Sequence, residues 1–180
     1  MSNGALILGP REIPVPTSIS PQAQAFLAQA AAMPSRRSHP AADDKAGWRR
    51  FVEDSNNDLI LRYRERSTSF AGSTERIRIG QVDVYISVPT EKETPGSIYL
   101  DVHGGAFIIG HGEACKLTGM MAAARLGLEV HSVDYRMPPD HPFPAGLDDC
   151  VATYRALLES HPPTRIVAGG ASAGGGLAAA

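Results

Sequence analysis

Ser172 lies at the centre of the segment Gly170-Ala171-Ser172-Ala173-Gly174, which has the pattern Gly-x-Ser-x-Gly. The pattern is typical of a nucleophile elbow, a sharp turn from a strand to a helix that exposes a reactive serine hydroxyl. Gly170 and Gly174 would let the backbone pack tightly at this turn, and N–H groups at the start of the helix would stabilise negative charge. The pattern predicts a nucleophile at Ser172, although a glycine-rich turn without chemistry has the same composition.

A second glycine-rich segment, His103-Gly104-Gly105-Ala106-Phe107, directly follows an apolar stretch that is typical of a strand. Two successive glycines let backbone N–H groups turn toward one point, as in an oxyanion hole, which stabilises the negative oxygen formed during acyl transfer. Taken alone, this segment also fits an ordinary loop between a strand and a helix. The two segments together, each after a strand and in this order, favour acyl-transfer chemistry.

Strands and helices alternate around these two segments. Strands are predicted over residues 75–79, 82–88, 97–102, 128–133 and 165–168. Helices are predicted over residues 113–126 and 146–160. This alternation is typical of a doubly wound, mostly parallel α/β sheet. The first two strands, joined at Gly80-Gln81, would form an antiparallel hairpin at one edge of the sheet.

The first seventy or so residues follow a different pattern. A helix is predicted over residues 22–33, preceded by Ser20-Pro21 as a start signal. A second helix begins after Asp43-Asp44, and the polar stretch of residues 53–58 leaves its end open. Acidic residues near helix starts, including Asp148 and Asp149, fit stabilisation of the helix dipole better than paired acid–base chemistry.

Three blocks of the sequence, residues 103–107, 134–145 and 170–175, form a recurring combination. The middle block, Asp-Tyr-Arg-Met-Pro-Pro-Asp-His-Pro-Phe-Pro-Ala, is the most specific of the three. Together they resemble the hormone-sensitive-lipase family of α/β-hydrolase esterases, with Asp140 where the family usually has Glu. The resemblance covers residues 75–180. It implies an α/β-hydrolase fold in which residues 1–70 are an N-terminal helical cap segment and residues 71–180 the N-terminal part of the core.

The resemblance also implies roles for the residues of the two glycine-rich segments. Ser172 would be the catalytic nucleophile, Gly104, Gly105 and Ala173 would form the oxyanion hole, and His103, Gly170 and Gly174 would support the two loops. The acid and histidine of the family's triad follow the serine, and no Asp, Glu or His follows Ser172 in this sequence. We therefore expect both beyond Ala180, and expect these 180 residues alone to hydrolyse esters negligibly.

The composition excludes several classes of function. The chain has 17 Lys and Arg against 19 Asp and Glu, which argues against a strongly basic nucleic-acid-binding protein. No apolar stretch is long enough for a membrane span, and no phosphate-binding glycine motif or metal-binding spacing occurs, so no cofactor and no metal are expected. Two cysteines without a paired spacing, Cys115 and Cys150, indicate reduced thiols in a cytoplasmic protein.

The resemblance implies hydrolysis of short or medium acyl esters, so the expected partner is a small-molecule ester. A homo-oligomer is possible on the sequence alone. Two other functions fit the same fold. One is a small-molecule-binding protein without a working triad, and the other is a fragment without catalytic competence.

Overall fold

The computed structural model describes residues 12–32 and 39–180. The chain divides into two compact units, Met1–Ser38 and His39–Ala180. The described part of the first unit contains helix α1 (Pro21–Ala32), and the Oγ of Ser20 accepts a hydrogen bond from the Ala23 N–H at 3.2 Å. This confirms the predicted helix and its start signal. Residues 1–11 and 33–38 of the predicted cap segment lie outside the described residues, and the cap itself stays a prediction.

The second unit contains a mixed five-stranded sheet with helices around it. The strands are β1 (Gly72–Ile79), β2 (Val82–Pro89), β3 (Ile98–Val102), β4 (Glu129–Asp134) and β5 (Ile166–Gly170). The helices are α2 (Lys45–Arg66), α3 (Glu113–Leu126), α4 (Ala145–Leu158) and α5 (Ala173–Ala179). Short 3-10 turns occur at Ser67–Ser69 and Pro163–Arg165.

The sheet has the strand order β1-β2-β4-β3-β5. β3 pairs in parallel with both β4 and β5, whereas β2 pairs antiparallel with β1 and β4. The predicted hairpin is therefore the antiparallel edge, and the predicted α/β fold class is confirmed. The carboxyl ends of β3 and β5 lie side by side, because Val102 pairs with Gly170. This register brings together the two segments that follow these strands.

The core lies on both faces of the sheet because its central strands are apolar on both sides. Val84, Leu100 and Val133 are almost completely buried on the face that α4 covers with Leu157. On the opposite face, Ala122 and Ala123 of α3 pack against Val130. None of the helices among the described residues is long and apolar enough to cross a bilayer.

Helix α2 runs through the polar stretch at which its predicted end was left open. Asn56, in the middle of that stretch, is buried with 5% of its surface exposed. Its Oδ1 accepts a hydrogen bond from the Gly110 N–H at 2.8 Å, and its Nδ2 donates to the His111 carbonyl at 3.3 Å. The helix continues because Asn56 forms hydrogen bonds with backbone groups of the glycine-rich loop that follows β3, residues 103–112. Without Asn56 these groups would be buried without partners.

Replacing Asn56 should destabilise this loop. The substitution Asn56→Ala leaves the Gly110 N–H buried without an acceptor, so we expect the free energy of unfolding to fall by about 1–3 kcal/mol. Urea unfolding monitored by circular dichroism measures the change. Asn57→Ala is the matched control, because Asn57 is the next residue of the same helix and is exposed. Equal losses in the two variants would contradict the assigned role of Asn56.

Candidate active site

Ser172 lies at the turn between β5 and α5, in the position that the Gly-x-Ser-x-Gly pattern predicts. Its backbone has φ 56° and ψ −122°, and its side chain is exposed. A positive φ is unfavourable for a residue with a Cβ and persists only where the surrounding packing enforces it. The turn therefore holds the Ser172 hydroxyl at the surface in a fixed, strained conformation.

The packing that enforces this turn is the close approach of α5 to the end of β3. A Cβ added to Gly174 would collide with the Val102 carbonyl oxygen and lie 2.6 Å from the His103 carbonyl oxygen. A Cβ added to Gly170 would also collide with the Val102 carbonyl oxygen. Both glycines of the pattern are therefore required by contact with backbone atoms, which cannot move aside as a flexible side chain can.

The loop after β3 lies beside the serine. A Cβ built on Gly104 would lie 3.5 Å from the Cβ of Ser172 and 2.7 Å from the Ala171 carbonyl oxygen. Gly105, Ala106 and Phe107 follow with φ of 132°, 53° and 63°. The Gly105 carbonyl accepts hydrogen bonds from the N–H groups of Ile108 and Ile109, both at 3.0 Å. The three successive positive φ values and the two hydrogen bonds to the Gly105 carbonyl make the loop a tight, strained turn.

His103, at the base of this loop, is buried with 2% of its surface exposed. Its Nδ1 donates a hydrogen bond to the Gly104 carbonyl at 2.8 Å, and its ring stacks on Tyr135 with the centroids 4.2 Å apart. The Tyr135 hydroxyl in turn donates to the His103 carbonyl at 2.8 Å. Burial lowers the pKa of His103 to about 4, so the imidazole is neutral near pH 7. These contacts anchor the loop.

The other histidines with assigned contacts are engaged away from Ser172. The Nε2 of His131 lies 3.0 Å from the Glu129 carboxylate. Among the described residues, the one hydrogen bond between a serine and a histidine side chain joins Ser160 and His161 at 2.9 Å. The described part of the chain therefore provides no histidine bonded to the Ser172 hydroxyl.

The segment between β4 and α4 is held by an ion pair that the sequence reasoning missed. Asp149 is buried and accepts hydrogen bonds from the backbone N–H of Arg136 at 2.8 Å and from its guanidinium at 2.8–3.1 Å. The carboxylate of Asp149 raises the pKa of Arg136. The sequence pattern explains Asp149 by the helix dipole alone. In the structure its carboxylate also fixes the start of the segment of residues 134–145, through Arg136. An Asp in the first turns of a helix, with an Arg upstream, was the available signal.

An apolar cavity of about 300 Å³ lies beside the glycine-rich loop after β3 and the segment between β4 and α4. Phe107 of the glycine-rich loop and Leu177 of α5 line it on one side, and Met137, Phe143 and Leu147 line it from the segment before α4 and from α4 itself. The cavity therefore borders both elements that carry the candidate site.

The chain is similar in sequence to known α/β hydrolases. Residues 99–180 match the profile of a family described as having the alpha/beta hydrolase fold. The chain is 34% identical to the carboxylesterase NlhH of Mycobacterium tuberculosis over 124 residues. This match covers 66% of the chain and 37% of NlhH.

Solved structures agree with this match. The crystal structure of one esterase is 29% identical and superposes with a TM-score of 0.75 over 96% of this chain and 54% of that chain. An esterase from the bacterial hormone-sensitive lipase family is 28% identical, with a TM-score of 0.64 over 86% of this chain and 47% of that chain. The chain thus spans about half the length of these structures. The resemblance found in the sequence is confirmed: the chain is an α/β-hydrolase-fold protein, and its relatives include a carboxylesterase and an esterase from the bacterial hormone-sensitive lipase family.

Proposed function

We propose that the protein is a carboxylic ester hydrolase that uses Ser172 as the nucleophile of an acyl-enzyme mechanism. The observation that carries the proposal is the strained turn that holds an exposed Ser172 beside Gly104. Strain of this kind persists at sites where it serves a function. The relatives, which include a carboxylesterase and two esterases of known structure, support the same activity.

The proposed reaction proceeds in two steps. The Ser172 Oγ attacks the ester carbonyl and transfers its proton to a histidine, which then protonates the departing alcohol. Water, activated by the same histidine, attacks the acyl-enzyme and releases the acid and the free serine. The negative oxygen that forms in each step would accept hydrogen bonds from the backbone N–H groups of Gly104, Gly105 and Ala173.

The histidine and the carboxylate that orients it are proposed to come from the chain beyond Ala180. The hydrolase relatives that the chain matches are longer than it, since it covers 37% of one and 54% of another. The general base would then approach Ser172 from outside the described sheet, in which β5 is an edge strand.

The apolar cavity suggests the class of substrate. Its volume of about 300 Å³ is at the lower end of the range for small-molecule pockets. Phe107, Tyr135 and Leu177 give it an apolar lining, as an acyl chain requires. We therefore assign it to the acyl group of a short or medium-chain ester.

Removing the nucleophile should abolish the activity. We expect Ser172→Ala to lower kcat for a p-nitrophenyl ester by about 10⁶-fold in the full-length protein, because no other group can form the acyl-enzyme. The variant should also lose labelling by a fluorophosphonate. Ser160→Ala is the control, since Ser160 hydrogen-bonds His161 but lies away from the turn. Tight ligand binding by a wild-type protein that is neither labelled nor active would instead favour a binding protein.

Closing the space at Gly104 should weaken the oxyanion hole. The methyl group of Gly104→Ala would lie 2.7 Å from the Ala171 carbonyl oxygen, so the loop must shift away from Ser172. We expect kcat to fall by about 10²-fold, as when an oxyanion-hole donor is lost. Gly176→Ala is the matched control, because its new Cβ would meet nothing closer than 3.9 Å. Unchanged kcat in Gly104→Ala, measured by steady-state hydrolysis, would contradict the assignment.

Filling the apolar cavity should change the preference for acyl length. Leu147→Trp adds bulk to its lining, so we expect kcat/KM to fall about tenfold or more for longer acyl esters and little for acetyl esters. A series of p-nitrophenyl esters of increasing chain length measures this ratio. Leu158→Trp, on the same helix but 39% exposed, controls for a general effect on α4. A uniform loss across all chain lengths would argue against an acyl site here.

A further inference from the structure

Three side chains with metal-binding atoms meet beneath the glycine-rich loop. An imidazole nitrogen of His103, the sulfur of Cys115 and a carboxylate oxygen of Asp134 all lie within 4.8 Å of one another. His103 directly follows β3, Cys115 lies in α3, and Asp134 is the last residue of β4. Their sequence spacing gave no sign of a site, because the sheet and α3 bring them together only in the folded protein.

The buried imidazole of His103 offers a free lone pair. Its Nδ1 donates a hydrogen bond to the Gly104 carbonyl at 2.8 Å, which leaves Nε2 without a proton in the neutral ring. Nε2 is buried and has no hydrogen-bond partner among the described residues. A backbone carbonyl that holds one ring nitrogen while the other binds an ion is a usual arrangement for a metal-ligating histidine.

The other two groups supply negative charge at a fixed position. Both carboxylate oxygens of Asp134 lie 3.0 Å from the Gly112 N–H, which orients the carboxylate. Cys115 is fully buried, so the surrounding core holds its sulfur in place. A thiolate and a carboxylate together balance the two positive charges of a divalent ion.

An ion could reach the cluster from outside. A cavity of about 510 Å³ is lined by Asp134, Tyr135 and His111, so it borders one of the three ligands. His111 is exposed and lines the same cavity, but it is not one of the three clustered side chains.

We propose that His103, Cys115 and Asp134 bind a divalent transition-metal ion of the zinc class. Imidazole, thiolate and carboxylate are the ligands such an ion uses, at metal–ligand distances of about 2.0–2.3 Å. In a tetrahedral site these ligand atoms are separated by about 3.5 Å, which small side-chain movements produce from the observed cluster. The thiol proton leaves to the solvent as the sulfur binds. The ion would tie α3 and β4 to the base of the glycine-rich loop.

Titration with Co²⁺ tests the site directly. The full-length protein, freed of metal by a chelator, is titrated with Co²⁺ and followed by absorption, because a thiolate bound to Co²⁺ gives an intense charge-transfer band. We expect the band to saturate at about one ion per chain and to disappear when Zn²⁺ is added. No charge-transfer band in the wild-type protein, with or without Co²⁺ bound elsewhere, would overturn the proposal. This readout does not involve ester hydrolysis, so it is independent of the proposed function.

The two cysteines provide a matched pair of variants. Cys150 is also buried but lies on α4, on the opposite face of the sheet. We expect Cys115→Ser to lose the band and Cys150→Ser to keep it, and the reverse result would overturn the proposal. If Cys115→Ser does not fold, Asp134→Asn decides between the outcomes. It should weaken Co²⁺ binding by about tenfold or more, whereas unchanged affinity would overturn the assigned ligand.

Discussion

The close approach of α5 to the carboxyl end of β3 is the constraint on which the candidate site depends. Backbone carbonyls of Val102 and His103 occupy the space where side chains at Gly170 and Gly174 would lie. With no room for a Cβ on either side, the chain turns sharply and Ser172 adopts a positive φ. The same contact brings the segment after β3 against the serine. One steric requirement thus sets the strain of the turn and the neighbours of the hydroxyl.

A second set of interactions holds the loop that approaches the serine. Asn56 of α2 is buried and satisfies backbone groups at Gly110 and His111, while Arg64 of the same helix pairs with Glu113 at 2.7 Å on the surface. The ion pair is exposed and solvent screens it, whereas an unmatched buried N–H costs about 1–3 kcal/mol. The buried amide is therefore the stronger of these two links between α2 and the loop.

Local patterns were sufficient to predict the elements but not their contacts. The hairpin, α3 and the turn at Ser172 follow from alternation, helical spacing and glycine positions, all of which act within a few residues. The continuation of α2 depends on Gly110, far along the chain from Asn56, so its polar stretch gave no local sign of burial. The partner of Asp149 is Arg136, 13 residues earlier in the chain, a separation outside the range of helical or strand periodicity.

The candidate metal ligands show the same limit more strongly. His103, Cys115 and Asp134 have no recognisable spacing, and the absence of such spacing led to the expectation of no metal site. A sheet can bring residues from different strands together at any separation along the chain, so spacing rules apply only to ligands within one turn or hairpin. Whether side chains converge is a property of strand order, which a single sequence specifies poorly.

The order of the strands also dictates a sequence of events during folding. β2 and β3 follow one another along the chain, yet β4 lies between them in the sheet, with Ile86 opposite His131 and Ile98 opposite Glu129. The hairpin of β1 and β2 pairs residues close in sequence, but the inner edge of β2 has no partner until β4, which follows α3 in the chain, is in place. Bringing β4 next to β2 closes the long segment between them, which costs conformational entropy before the pairing of the two strands compensates for it. β4 is thus the strand that joins the antiparallel hairpin to the parallel part of the sheet.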